Sequence, residues 1–217
     1  LILKGVADPC FNRVKVVPPG VESSWFDVER KLPTDSRLLF WGRLEEEKGL
    51  PELFIALKEV TKKINQVKLT LVGEGNQLKE YKNLVATLGL TGQVEFKGWL
   101  DAREIQNLTT QSYLGLFPSR IESFGLSVIE AMAAGLPVIA ARGGAVPENI
   151  ENGVTGTLVP VNDSGALAKA IIFALENQQY INALAKIGRK VIREKFSWDK
   201  AADIMIDLYR SVVRNGI

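Results

Sequence analysis

The sequence has no histidine, and this absence removes the side chain that most often acts as a general acid or base near neutral pH. Its single cysteine, Cys10, rules out a disulfide framework within the chain and fits a reducing compartment. No uncharged apolar run reaches the roughly 18 to 20 residues that cross a bilayer, and we recognise no signal peptide. We therefore expect a cytoplasmic protein in which, if it is an enzyme, either carboxylates do the work or a partner is missing.

The chain also lacks an excess of one charge. Lys and Arg number 27 and Asp and Glu 25, which gives a net charge of +2, so nucleic acid is not expected as a partner. Any anion site must then be local. A length of 217 residues with 46% hydrophobic and 24% charged residues predicts one globular domain with a substantial core. The first residue is Leu1 rather than Met, which suggests a fragment or a processed product.

The most informative stretch is residues 118–144, PSRIESFGLSVIEAMAAGLPVIAARGG, because Glu130 is the only charged residue between Glu122 and Arg142. A carboxylate in such apolar surroundings needs a partner. The stretch predicts a loop that ends near Gly125, a helix from about residue 126 to 134, and a buried strand at 138–141. Glu122 then lies just before the helix, and Glu130 lies on it.

The start of this helix is a candidate anion site. Unpaired backbone N–H groups at a helix N-terminus carry partial positive charge, so a diphosphate could bind at Ser123, Phe124, Gly125 and Leu126. Glu122 and Glu130 would accept hydrogen bonds from hydroxyl groups on either side of it. A nucleotide sugar has this layout, with ribose on one side of the diphosphate and a hexose on the other. The alternative is that both glutamates are ordinary solvated residues.

The same stretch resembles the donor-binding motif of retaining glycosyltransferases of the GT-B fold, family four. The motif has two glutamates separated by seven residues, with Phe-Gly after the first and Ala-Met-Ala after the second. The match then continues through Gly135-Leu136-Pro137-Val138-Ile139 to Gly143-Gly144. The resemblance implies that Glu122 holds hydroxyls of the transferred sugar and stabilises positive charge at its anomeric carbon, while Glu130 holds the ribose.

A second candidate site follows the apolar run 37–41, which predicts a buried strand. Gly42 lets the backbone turn there, and Arg43 and Lys48 could converge on an anion. Next to three glutamates, the two cations could equally form a solvated cluster of ion pairs. The resemblance favours the first reading, since it implies that these cations hold the donor diphosphate. It assigns the catalytic roles to Glu122, Arg43 and Lys48.

Two further strands end at candidate donor-binding residues. The strand at 67–72 ends at Gly73-Glu74-Gly75, which resembles a dinucleotide-binding turn, but Leu78 stands where the third glycine would be. Gly73 is therefore expected to make a tight turn beside the donor. The strand at 94–97 leads to Lys97, Gly98 and Trp99, and the resemblance implies that they flank the nucleotide base. Trp99 could also be ordinary surface packing.

Six strands that alternate with helices predict an α/β fold with a Rossmann-like, doubly wound and mostly parallel sheet, covered by helices on both faces. The candidates Arg43, Gly73, Lys97–Trp99 and Glu122 with its helix start all follow strand ends, so they should meet at one edge of the sheet. We expect a linker and a first strand in residues 1–26, a nucleotide-sugar-binding domain in 27–195, and a closing helix in 196–217 that crosses to another domain. The whole would form the C-terminal half of a GT-B fold.

The resemblance implies transfer of a hexose from a nucleoside diphosphate sugar to an acceptor hydroxyl, with retained configuration and with no metal or other cofactor. Polysaccharide or glycolipid synthesis is the expected context. An N-terminal acceptor-binding domain would be missing, so we expect no transfer by this chain alone. Peripheral association with the inner face of the cell membrane would come through that missing half. The alternatives are a nucleotide-sugar epimerase of the same fold and a non-catalytic nucleotide-binding module.

Overall fold

The computed structural model describes residues 15–30 and 36–215. Its centre is a sheet of six strands, all parallel, in the order β3-β2-β1-β4-β5-β6. The strands are β1 (Arg37–Trp41), β2 (Lys68–Val72), β3 (Val94–Phe96), β4 (Leu114–Phe117), β5 (Val138–Ala141) and β6 (Thr157–Val159). Every residue of β4 and β5 is buried, as expected for parallel strands covered on both faces. The predicted fold class is confirmed.

Helices connect the strands and cover the sheet. They are α1 (Ser23–Phe26), α2 (Leu50–Thr61), α3 (Leu78–Thr87), α4 (Ala102–Gln111), α5 (Leu126–Ala133), α6 (Val146–Asn149), α7 (Ser164–Glu176), α8 (Gln178–Lys195) and α9 (Trp198–Asn215). One group packs α2 against α3 and α7, and another packs α5 against α1 and α8. None of the helices in the described part of the chain has the length and apolar character of a membrane span.

Capping side chains set the starts of two helices. The Asp101 carboxylate accepts a hydrogen bond from the backbone N–H of Glu104, and the Glu104 carboxylate accepts one from the N–H of Asp101. This reciprocal arrangement pairs two backbone donors that the helix leaves unpaired. The Asp163 side chain caps α7 in the simpler way, by accepting from Ala166 N–H. Asp101 and Asp163 therefore fix the starts of α4 and α7.

The beginning of the chain differs from the prediction. The first strand expected within residues 1–26 is absent from residues 15–20, and residues 1–14 lie outside the described part of the chain. Instead, Ser23–Phe26 form the short helix α1, which the sequence analysis does not predict. Trp25 and Phe26 are buried in the main core, although they fall within the range expected to be linker. Two buried aromatic residues in one turn override the weak local helix propensity.

Arg30 ties this N-terminal segment to the sheet domain. Its guanidinium donates to the backbone carbonyls of Thr109, Ser112 and Gly135, which lie at the ends of α4 and α5. Burial lowers the pKa of Arg30 to about 10, so it stays charged at neutral pH. An arginine suits this position because its planar group offers five donors that can bind several carbonyls at once.

The strand order reverses between β1 and β4. From β1 the chain continues to β2 and β3 on one side, and from β4 it continues to β5 and β6 on the other. The loops that leave β1 and β4 therefore diverge and open a crevice at the carboxyl edge of the sheet. In open α/β sheets this switch point is where ligands bind.

Candidate functional site

The loops after β1 and β2 are in direct backbone contact. Gly73 has φ 134°, and a Cβ atom there would lie 1.9 Å from the carbonyl oxygen of Gly42. Any other residue at position 73 would clash with that backbone, so the glycine is required by the close approach. The candidate residues Gly42 and Gly73, predicted from separate strands, thus lie side by side.

An ion pair spans the crevice between β1 and β4. Lys48, at the end of the short 3-10 helix Glu46–Lys48, places Nζ 2.7 Å from Oε1 of Glu122 in the loop after β4. The two side chains are mostly buried, with 14% and 19% of their surface exposed. A cation and a carboxylate at this depth form a charge-assisted hydrogen bond rather than a weak surface contact.

A second ion pair links the same two regions, but here the cation follows β4 and the carboxylate comes from the β1 side. Arg120, two residues before Glu122, donates to Oε1 of Glu52 at 2.7 Å and also contacts Glu46 at 3.3 Å. The hydrogen bond to Glu52 raises the pKa of Arg120. Each loop region thus contributes one cation and one carboxylate to the other. We call the Lys48–Glu122 and Arg120–Glu52 pairs the crossed ion pairs.

Arg43 lies at the mouth of the crevice rather than inside it. Its side chain is 74% exposed and pairs with Glu47 at 3.1 Å, four residues along the chain. A pair this exposed contributes little to stability. The alternative reading of a solvated ion-pair cluster thus describes Arg43 in this structure, whereas Lys48 reaches across to another loop.

Glu130 has the partner that its apolar surroundings require. It lies on α5, and its Oε2 accepts a hydrogen bond of 3.0 Å from the indole Nε1 of Trp41. Burial raises the pKa of Glu130, and the hydrogen bond from Trp41 partly opposes this shift. The partner is thus a neutral donor at the end of β1, which the sequence analysis does not identify.

The N-terminus of α5 offers backbone donors to the crevice. Gly125 occupies the N-cap position with φ 84° and provides no side-chain cap. Within the described part of the chain, the N–H groups of Leu126 and Ser127 have no acceptor, whereas Val128 N–H bonds to the Gly125 carbonyl. Ser123 and Leu126 are exposed at this end. These groups have the polarity that suits a phosphate.

Phe124 packs against another aromatic residue and supports the loop. Its ring packs edge-on against Phe196 with centroids 5.5 Å apart, and its carbonyl accepts a hydrogen bond from Asn149 Nδ2. The loop is also fixed from β5, because Ala145 N–H donates to the Glu122 carbonyl at 2.9 Å. Phe124 is therefore placed to hold the backbone of the motif rather than to contact a ligand with its side chain.

A mostly apolar cavity of about 280 Å³ lies beside the Gly42–Gly73 contact. Its lining comprises Trp41, Gly42, Arg43, Val72, Gly73, Glu74, Trp99, Leu100 and Ile105. Trp99 is 70% exposed and could stack on a planar ring there. Gly98 supports the wall of this cavity, because its backbone carbonyl accepts a hydrogen bond of 2.7 Å from Gly73 N–H. The Lys97 ammonium pairs with Glu95 at 2.6 Å instead, and Lys97 does not line the cavity.

Three residues of the site are missing from the sequence analysis. Trp41 bonds to Glu130, and Arg120 pairs with Glu52. Trp41 directly precedes Gly42, and Arg120 lies two residues before Glu122, so adjacency to predicted site residues is the signal that could have found them. Glu52 lies in the first turn of α2 and carries no such signal.

A doubly wound parallel sheet with its polar residues gathered at the switch point defines a Rossmann-like α/β domain. The particular family is established by comparison: the chain belongs to the glycosyl transferases group 1, whose family model matches residues 21–191. Its fold is that of the C-terminal domain of GT-B glycosyltransferases. The predicted family is thereby confirmed.

Individual relatives agree with this assignment. The chain is 31% identical over 224 residues to the D-inositol 3-phosphate glycosyltransferase of Segniliparus rotundus, covering 97% of this chain and 49% of the relative. The C-terminal domain of a glycosyl transferase group 1 protein (LpcC) from Francisella tularensis matches with a TM-score of 0.70 and 28% identity, over 84% of this chain and 97% of that domain.

A third comparison concerns a structure with a bound ligand. Anabaena Alr3699/HepE in complex with UDP-glucose matches with a TM-score of 0.74 and 28% identity, over 83% of this chain and 49% of that protein. The chain spans about half the length of the curated relatives it matches.

Proposed function

We propose that this chain is the donor-binding half of a retaining glycosyltransferase that moves a hexose from a nucleoside diphosphate sugar to an acceptor hydroxyl. The observation that carries the proposal is the Lys48–Glu122 pair, which lies across the switch point beside the N-terminus of α5. A lone ion pair could be structural. This one adjoins free backbone donors, a second carboxylate and an apolar cavity, so one extended ligand could contact all of them.

We assign each part of the donor to a protein group that suits its chemistry. The diphosphate would bind Lys48, Arg43 and the N–H groups at the start of α5, because cations and a helix N-terminus favour phosphate. Ribose would bind the Glu130 carboxylate, and the base would enter the cavity beside Trp99. Glu122 would accept hydrogen bonds from the hexose. The UDP-glucose complex of the 28% identical Anabaena protein supports this ligand class.

The diphosphate would exchange partners when it binds. In the structure Lys48 already has a carboxylate partner in Glu122. A phosphate oxygen near Lys48 would compete with that carboxylate for the ammonium protons. Glu122 would then be free to accept from hydroxyl groups of the sugar. The ion pair therefore keeps both side chains in place before the donor arrives.

The reaction requires stabilisation of the charges that develop on the diphosphate and at the anomeric carbon, rather than a base of high pKa. The bond between the anomeric carbon and the diphosphate breaks, the acceptor oxygen forms the new bond on the same face, and the acceptor proton leaves with the diphosphate. Lys48, Arg43 and the α5 N–H groups would stabilise the departing diphosphate by fixed charges. Glu122 would stabilise the positive charge that develops at the anomeric carbon.

Transfer would require a second domain that orients the acceptor and excludes water. Such positioning can account for roughly 7 to 11 kcal/mol of barrier lowering. We therefore propose that this chain binds a donor by itself but does not glycosylate an acceptor. Polysaccharides and glycolipids are the acceptor classes we expect for the full-length enzyme.

The test titrates the purified chain with UDP, GDP and ADP and with their glucose or mannose conjugates, by calorimetry. We expect one diphosphate series to bind and the matching nucleoside to bind much more weakly. The same samples are then incubated with disaccharide and glycolipid acceptors, and products are followed by mass spectrometry. Absence of binding by every nucleotide would refute the donor site, and turnover to a glycosylated product would refute the need for a second domain.

A further inference from the structure

The side chain of Trp41 belongs to the core and also donates a hydrogen bond to a residue of the candidate site. The residue ends β1 directly before Gly42 and is 4% exposed. Its Nε1 donates to Glu130 Oε2 at 3.0 Å, across 89 positions of sequence. An indole N–H can only donate, and a buried one needs an acceptor. Here that acceptor is the carboxylate that the proposed function assigns to the ribose.

Two aromatic neighbours fix the direction of this N–H group. Trp25 stacks on Trp41 with ring centroids 5.8 Å apart and an interplanar angle of 6°. Phe117, at the end of β4, meets Trp41 edge-on at 5.0 Å and 83°. Both neighbours are buried, so the indole is packed on its face and at its edge. Trp41 therefore cannot turn its donor away from Glu130 without disrupting the core.

The contact leaves one carboxylate oxygen of Glu130 available. Within the described part of the chain, Trp41 is the one hydrogen-bond donor to this carboxylate, and it engages Oε2. Oε1 therefore keeps its capacity to accept. The hydrogen bond also favours the ionised form, since it opposes the effect of burial on the Glu130 pKa. A fixed carboxylate can accept hydrogen bonds from two vicinal hydroxyl groups.

We propose that Trp41 is a positioning residue of the donor site, whose N–H group fixes Glu130 so that its carboxylate accepts hydrogen bonds from the ribose diol. This inference rests on the proposed function, because it takes Glu130 as the ribose-binding group. Trp25 and Phe117 support the position of Trp41.

The binding test compares Trp41→Phe with Trp25→Phe as a matched control. Both replace an indole in the same aromatic cluster, but only the first removes the donor to Glu130. We expect Trp41→Phe to weaken UDP binding about tenfold and to leave 2′,3′-dideoxy-UDP within about twofold of the unmodified chain. Trp25→Phe keeps an aromatic ring against Trp41 and should change neither affinity by more than about twofold. GDP or ADP and their dideoxy forms replace UDP if they bind more tightly.

A second readout does not depend on a ligand. The carboxyl carbon of Glu130, assigned by its loss in Glu130→Gln, is titrated by NMR in the three chains. Trp41→Phe should raise the Glu130 pKa above that of the unmodified chain, because it removes the hydrogen bond that favours the ionised form. Trp25→Phe should leave the titration near that of the unmodified chain.

The proposal requires both results. If Trp41→Phe binds UDP and its dideoxy form as the unmodified chain does, or titrates Glu130 at an unchanged pKa, the positioning role is overturned while the donor site stands. If the unmodified chain binds no nucleoside diphosphate, the proposed function fails and the ribose assignment fails with it. Equal weakening of UDP and dideoxy-UDP would also overturn the role, since it would show a general disturbance of the site.

Discussion

Lys48 Nζ lies 2.7 Å from Glu122 Oε1, and this contact joins the loop after β1 to the loop after β4. The two residues are 74 positions apart, and each is placed by a different half of the doubly wound sheet. The pair therefore sets the distance between these two loops before any ligand binds.

Lys48→Met should weaken the binding of a nucleoside diphosphate by about 1.5–3 kcal/mol, because it removes a charge-assisted bond to phosphate. Arg43→Met should have a smaller effect, since Arg43 is largely solvated in the free protein. Neither change should alter the affinity for the nucleoside. Calorimetry with UDP and uridine measures both effects. Lys62→Met serves as the control, because Lys62 pairs with Glu59 on an exposed helix surface. An equal loss of UDP and uridine affinity would place these cations away from the diphosphate.

Glu122→Gln should leave UDP affinity within about threefold of the unmodified chain, because its proposed contacts are with the sugar. Transfer by the full-length enzyme should fall by about 10² or more, the loss that follows removal of a group stabilising transition-state charge. Steady-state rates with a donor and an acceptor check this. Glu59→Gln, an exposed carboxylate on α2, is the matched control. A Glu122→Gln enzyme that transfers normally would remove Glu122 from the mechanism.

Arg120→Met should lower the free energy of unfolding by about 1–3 kcal/mol, since it leaves the largely buried Glu52 carboxylate without its partner. The double change Arg120→Met with Glu52→Leu should recover part of this loss, because no charge then remains unpaired. Urea unfolding of the two single variants and the double variant gives the coupling between them. Full additivity of the two single changes would show that the pair does not link the loops.

Glu130→Gln should raise the free energy of unfolding at pH 7 by about 0.5–2 kcal/mol while it weakens ribonucleotide binding. Burial raises the pKa of Glu130 in the folded state, so the folded protein holds this proton more tightly than the unfolded chain does. Ionised Glu130 therefore costs stability above its folded pKa. The amide carries no charge, yet it still offers Trp41 an acceptor.

The pH dependence provides the check. The advantage of Glu130→Gln should be complete above the folded pKa of Glu130 and should vanish as the pH falls below the ordinary glutamate value of about 4.3, where both forms of residue 130 are neutral. Denaturant unfolding across this range measures it. Glu59→Gln should show no such advantage at pH 7, because Glu59 is 52% exposed. If Glu130→Gln still raised the free energy of unfolding at low pH, the gain would not come from the ionisation of Glu130.

The sequence predicts the sheet well because buried parallel strands read as apolar runs. The run 37–41 and the run 138–141 become β1 and β5 with the expected bounds. Since each candidate residue follows a strand, the common edge of the sheet also follows from topology. The helix α1 is missed because four residues carry too little periodicity for a prediction.

The contacts between site residues could not be predicted in the same way. Trp41 and Glu130 are 89 positions apart, and Arg120 and Glu52 are 68 apart. Their pairing depends on how the loops approach each other, which periodicity and motif spacing do not encode. A motif identifies which carboxylates matter, but only the folded chain shows which donors hold them. The assignment of ligand roles to Glu122, Glu130 and Lys48 stays a prediction.

The parallel stacking of Trp25 on Trp41 has an optical consequence. Two indoles with ring centroids 5.8 Å apart are close enough for their electronic transitions to couple, so the pair should contribute to the circular dichroism spectrum of the protein. One indole of the pair also donates its N–H to Glu130, and the energy of its transitions therefore changes with the charge on that carboxylate. The protein thus carries a native chromophore whose spectrum responds when Glu130 gains a proton or a hydroxyl ligand, with no label attached.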